Sequence, residues 1–165
     1  MSTSDSKQIA NYLLATVQYE MGLTTGVLKA VPADKLDYRP DPASKTALGL
    51  LRHITLEDEW LLNGVASGSF SAPPDDGDGC GIHSPTDAAE RYQERIPAAI
   101  QRVAALSSEE LDREVDFLGL MKMRVVDFLS LMLRHSVHHR GQLSTYLRPM
   151  GGKVPGIYGP SADTK

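Results

Sequence analysis

Cysteine is almost missing from this chain of 165 residues: Cys80 stands alone. No internal disulfide can form, and a reducing, cytoplasmic setting is expected. A run of roughly 18 apolar residues, the least that spans a membrane, is missing too. Met1 to Lys7 is polar, with no apolar h-region behind it, which reads as a frayed start. No membrane partner is therefore expected. Nor is there a basic excess, since 17 Lys and Arg against 21 Asp and Glu leave a formal charge of -4. That balance argues against bulk nucleic-acid binding, which needs a cationic face to displace phosphate counterions.

What is present suits one globular domain over residues 1–165. Hydrophobic residues make up 41% of the chain, and the length is well above the roughly 70–80 residues below which a core needs a disulfide or metal staple. Any metal here is expected to serve something other than holding the fold. Helical periodicity marks four long segments. The first runs from about Ser6 to Val31, with Ile9, Leu13, Val17, Leu28 and Val31 on one face and Asp5 or Ser6 as cap. The second, about Ser44 to Val65, carries Ala47, Leu50, Leu51, Ile54, Leu61 and Leu62, with His53 and Glu57 beside them. Ser67 to His83 is rich in Gly, Pro, Ser and Asp and reads as a flexible loop between helices. Ser84-Pro85-Thr86-Asp87 is a strong start signal for the third helix, in which Pro97 predicts a kink. Ser107 to Leu120 reads as an irregular connection with a short helical turn at Ser108–Asp112. The last helix runs from about Met123 to Arg148, and Gly151-Gly152 closes it. An irregular tail, 153–165, follows. With no convincing strand, the expected fold is an all-α four-helix bundle.

The histidines carry the chemistry. His135 and His139 are separated by four residues on one helix, a spacing that stacks two side chains on one face and can offer two imidazoles to one ion. A third ligand must come from elsewhere, and His53 is the histidine on another predicted helix, beside its core face. Three histidines leave coordination positions open, as in a reactive site; structural zinc is normally closed by four ligands. Spacing alone leaves a second reading open, in which these are hydrogen-bonded core or hydrated surface histidines.

The segment His135-Ser136-Val137-His138-His139-Arg140-Gly141-Gln142-Leu143, followed by Leu147-Arg148, Gly151 and Val154-Pro155, resembles the C-terminal signature of DinB/YfiT-like proteins. Tyr38-Arg39-Pro40, Ser44 and then His53 are similar to that family's second element. The resemblance runs through nearly the whole chain in order. It implies a bundle with an up-down-down-up path, frequent homodimers, and His53, His135 and His139 as ligands of a divalent ion such as zinc, nickel or iron. It also implies an enzyme, because family members include transferases that use bacillithiol, mycothiol or glutathione, and a thiol-dependent isomerase. A low-molecular-weight thiol and a small-molecule substrate are then the expected ligands. Metal-dependent hydrolysis, and a non-catalytic dimeric metal-binding stress-response module, are the alternatives.

Other residues hold weaker claims. Glu57, one turn beyond His53, could orient an imidazole or act as a general base, or be a solvated carboxylate like adjoining Asp58 and Glu59. Gln142 could meet a metal-bound water or bond locally. His138 lies some 60° off the direction of the pair and is expected at the rim. Gly141, unfavourable inside a helix, suggests close approach of a neighbouring helix or a subunit contact. Arg140 and Arg148 read as exposed. The run 75–79 lacks the glutamate of a calcium loop. Cys80 and His83 read as loop residues, with a reactive thiol or fourth ligand as the sharper alternative.

Overall fold

In a computed structural model, which describes residues 3–164, the chain forms a helical bundle with a small two-stranded sheet. The elements are α1 (Thr3–Lys29), α2 (Ala47–Ser67), α3 (Pro85–Ala104), α4 (Ser108–Asp112), β1 (Glu114–Phe117), β2 (Met121–Arg124) and α5 (Val125–Leu147). The caps follow the sequence signals. Ser84 accepts from the Asp87 amide with Pro85 opening α3, while Ser107 and Glu110 form a reciprocal capping box on α4. Thr46 accepts from the Gly49 amide, so α2 begins at Ala47 and not at the expected Ser44.

Cross-helix contacts fix the chain path. Asp58 meets Tyr92 and Asn63 meets Arg102, so α2 and α3 run parallel. His53 meets His139 while Asp58 meets His135, so α2 and α5 are antiparallel. Lys7 bonds the carbonyls of Ala104 and Leu106 at the far end of α3, which makes α1 antiparallel to α3. The order is up-down-down-up. α1 and α2 each pack on both α3 and α5 and so lie across a diagonal. One continuous apolar core joins them, including Leu28, Leu50, Leu51, Ile54, Leu62, Ile96, Leu129 and Leu143.

Several expectations need correction. The polar start is not frayed from Thr3 onward, because Ser6 and Lys7 are stitched to Asp112 and to the end of α3. Asp5 and Ser6 accordingly lie inside α1, Asp5 in its first turn. Met1, Ser2 and Lys165 are outside the described residues. A β-hairpin interrupts the all-α pattern: Glu114 pairs with Arg124 and Phe117 with Met121. Its turn is built on Leu118 and Gly119, both with positive φ (56° and 74°), and on the Gly119 amide bonded to Asp116. Leucine adopts that conformation with strain, and no Asn-Gly or Asp-Gly signal marks the turn. The hairpin also delays α5 to Val125. Val115 and Phe117 point inward, and Phe117 joins Trp60, Phe70 and Phe128 in an aromatic cluster.

The segment 68–84 is irregular apart from one 3₁₀ turn at Asp78–Cys80, yet it is fastened. Arg52 bonds the carbonyls of Ile82 and Asp76 and the Asp78 carboxylate, and Phe70 packs directly over Gly64, where a Cβ would collide with its ring. Pairing of Asp76 with Lys45 and of Asp78 with Arg52 occupies two acids of the 75–79 run.

Candidate metal centre

The second turn of α2 and the fourth and fifth turns of α5 face each other, because Ile54 and Leu51 on one helix and Met132 and Leu143 on the other face the core. His53 stands at the margin of the α2 stripe, and His135 and His139 at the margin of the α5 stripe. All three are half-buried. Each offers a ring nitrogen, and the three atoms lie within 4.8 Å of one another. His53 Nε2 is 3.1 Å from His139 Nε2. Two nitrogens held roughly 2.0–2.1 Å from one tetrahedral zinc would themselves be about 3.3 Å apart.

The outer partners of the rings decide which nitrogen faces inward. His139 Nδ1 lies 3.0 Å from Gln142 Oε1, an acceptor, so Nδ1 carries the proton and the Nε2 lone pair is free. His135 Nδ1 faces Asp58 Oδ1 at 3.5 Å without forming a hydrogen bond. Carboxylate or carbonyl groups behind ligand imidazoles are the usual support of a metal site. Burial pushes the His53 imidazole down to about 4, with the neighbouring His139 and His135 rings acting in the same direction. Burial also lowers His139, against the Gln142 bond, which raises it. Burial thus disfavours the charged form of His53 and His139, and with His135 the group gathers three imidazole donors that fit a divalent cation.

The surroundings separate the other candidates. Glu57 lies beside the group, and burial raises its carboxyl above the usual range while the nearby His135 lowers it. Its oxygens are not among the converging donors. Glu59 turns away to pair with Arg91. His138 is exposed, its ring 4.8 Å from that of His139, and His83 is exposed on the loop. Cys80 is half-buried, with its backbone carbonyl held by Arg91. Lys45 and Asp76 form an ion pair near His53.

Two residues read from sequence as ordinary are not. Asp58 is wholly buried and receives the Tyr92 hydroxyl at 2.8 Å. Its signal was available, since it occupies a core position between Ile54 and Leu62, where a carboxylate must have partners. Arg140 is not exposed but 1% accessible. It bonds Glu20 on α1 and, at 2.6 Å, the Tyr158 hydroxyl of the tail. Gly141 faces open space, so among the described residues no helix approaches it.

The DinB family profile matches residues 1–164. The chain belongs to the DinB family. Two Bacillus subtilis (strain 168) relatives cover most of it: the uncharacterized protein YjoA is 27% identical over 88% of this chain and 91% of its own, and the uncharacterized protein YrdA is 26% identical over 94% and 92%. Among solved structures, a DinB-like protein from Bacillus cereus ATCC 10987 superposes with a TM-score of 0.73 at 24% identity, covering 88% of this chain and 95% of that one. The DinB-like protein YjoA from B. subtilis gives 0.69 at 23%, covering 93% and 99%. These two establish the DinB-like fold. The three-histidine group in this DinB chain could hold a metal ion. No helix among the described residues is long and apolar enough to cross a membrane.

Proposed function

We propose that His53, His135 and His139 bind a divalent ion, zinc, nickel or iron, and that the protein is a metal-dependent enzyme transferring a low-molecular-weight thiol to a small electrophile. The observation that carries this reading is the convergence of three imidazole donors with no fourth side-chain donor in the group among the described residues. An ion there keeps positions for an outside ligand. When bound, a divalent ion lowers the pKa of a coordinated thiol or water. The chain's own groups do the rest. Gln142 backs the His139 ring and Asp58 faces the His135 ring, and the Lys45–Asp76 pair, held by Arg52 through the Asp76 carbonyl, frames the His53 side. The test is consumption of free bacillithiol, mycothiol or glutathione with a reactive electrophile, using protein loaded with each metal. Thiol loss that follows metal occupancy is expected; indifference to every thiol contradicts the transferase reading.

Glu57 favours a second reading, metal-dependent hydrolysis. A half-buried carboxyl with a raised pKa beside the histidines is suited to accept a proton from water. Hydrolysis that persists without thiol and falls in Glu57→Gln distinguishes this route. Metal binding with neither activity leaves the non-catalytic module. The proposal also places the protein in the cytoplasm as a homodimer joined through α1, where Tyr12 and Tyr19 are 73% and 62% exposed. Sedimentation of the parent and of Tyr12→Glu tests the dimer.

A further inference from the structure

The core beneath the three histidines is polar where a bundle core is normally apolar. Asp58 from α2, Tyr92 from α3 and Ser136 from α5 are all buried there. The two oxygens of Asp58 are divided. Oδ2 accepts from the Tyr92 hydroxyl at 2.8 Å, and Oδ1 faces His135 Nδ1 at 3.5 Å. Neither Oδ1 nor Nδ1 has a hydrogen-bond partner, and at this separation they do not yet bond each other. A buried carboxylate oxygen and a buried ring N–H left apart each forgo the hydrogen bonds that water gave them, so the two are driven toward each other. Burial holds the Tyr92 pKa well above the ordinary phenol value, with the Asp58 charge acting in the same direction, so the hydroxyl keeps its proton to give. Ser136 Oγ lies 3.5 Å from the same hydroxyl and steadies it from the residue next to His135.

We propose that Tyr92 is a positioning residue for the three-histidine group. By donating to Asp58 Oδ2 it fixes the carboxylate so that Oδ1 is placed to accept a hydrogen bond from the Nδ1–H of His135. The Nε2 lone pair of His135 is then aimed at His53 and His139. A helix that contributes no histidine thereby sets the competence of the site. The affinity part of this proposal rests on the metal-binding reading; the tautomer part does not.

The test uses Tyr92→Phe, which removes one hydroxyl and keeps the ring, with thermal melting as the folding control. In chelator-treated parent protein, ¹⁵N NMR of the His135 ring is expected to show a protonated Nδ1 and a bare Nε2. Tyr92→Phe is expected to give a mixture of tautomers. Zinc affinity, measured by competition with a chromophoric chelator, should fall roughly tenfold in Tyr92→Phe, and should fall no further when that change is added to Asp58→Asn. A parent His135 protonated on Nε2 overturns the proposal without any variant. So does an unchanged tautomer in Tyr92→Phe, or an equal affinity loss in both backgrounds, which would signify packing alone. If the parent takes up no zinc, the metal reading fails, and the tautomer result decides the Tyr92 proposal by itself.

Discussion

Asp58 Oδ1 and His135 Nδ1 face each other 3.5 Å apart across the α2–α5 interface, and neither has a hydrogen-bond partner. The pair ties a fully buried carboxylate to a histidine at the edge of the site. Asp58→Ala removes the acceptor for both the His135 ring and the Tyr92 hydroxyl. Zinc affinity is expected to drop by roughly 10–100-fold, and urea denaturation should show a loss of about 1–3 kcal/mol. Unchanged affinity in a folded variant would mean that the ring is oriented by something else.

Glu20 and Arg140 form a buried ion pair joining α1 to α5 one residue past His139. Removing one member of a buried pair strands the remaining charge. Glu20→Ala is expected to lower stability by about 3–5 kcal/mol. Tyr158→Phe, which takes one hydrogen bond from each partner, should cost about 0.5–1.5 kcal/mol. Paired urea melts distinguish the two values, and equal losses would contradict the assignment.

The metal-free protein should lose stability as pH falls from about 6.5 to about 4. His53 titrates near 4 when folded against 6.5 for a free imidazole. Between those values the unfolded chain binds a proton that the folded chain refuses, so stability rises with pH across the window. Each tenfold loss of proton affinity corresponds to about 1.4 kcal/mol; because water still reaches part of the ring, the effect is of order 1–2 kcal/mol. Glu57, raised by burial, acts in the opposite sense above the ordinary carboxylate range. Comparison with His53→Gln isolates the histidine: its pH slope should be shallower, and an identical slope would refute the assignment.

Gly141 lies in the interior of α5 with open space where a Cβ would stand. Gly141→Ala is expected to raise stability by about 0.5–1 kcal/mol. A gain in stability with loss of self-association would assign the glycine to a subunit contact.

The long helices were legible in sequence because their apolar stripes and caps are strong local signals, as at Ser84-Pro85 and Gly151. The histidine pair was legible for the same reason, since a four-residue spacing on a helix fixes a common face. The hairpin was not. Its strands are four residues each, and its turn uses Leu118 where glycine or asparagine is the recognisable signal. Asp58, Tyr92 and Arg140 escaped for another reason. Their polar partners lie on other helices, 34, 44 and 120 residues distant, and no local pattern encodes such pairings, although the core position of Asp58 was itself visible. The fixed segment 68–84 escaped similarly, because its Gly and Pro content is local while its anchor, Arg52, lies on α2.

The most direct measurement is metal content per chain by elemental analysis, on protein purified without a histidine tag, for the parent and for His53→Ala and His135→Ala. The account predicts close to one divalent ion per parent chain, lost in both variants while helical circular dichroism persists. A parent that stays empty after anaerobic loading with zinc, nickel or iron, or variants that keep the ion, would contradict it.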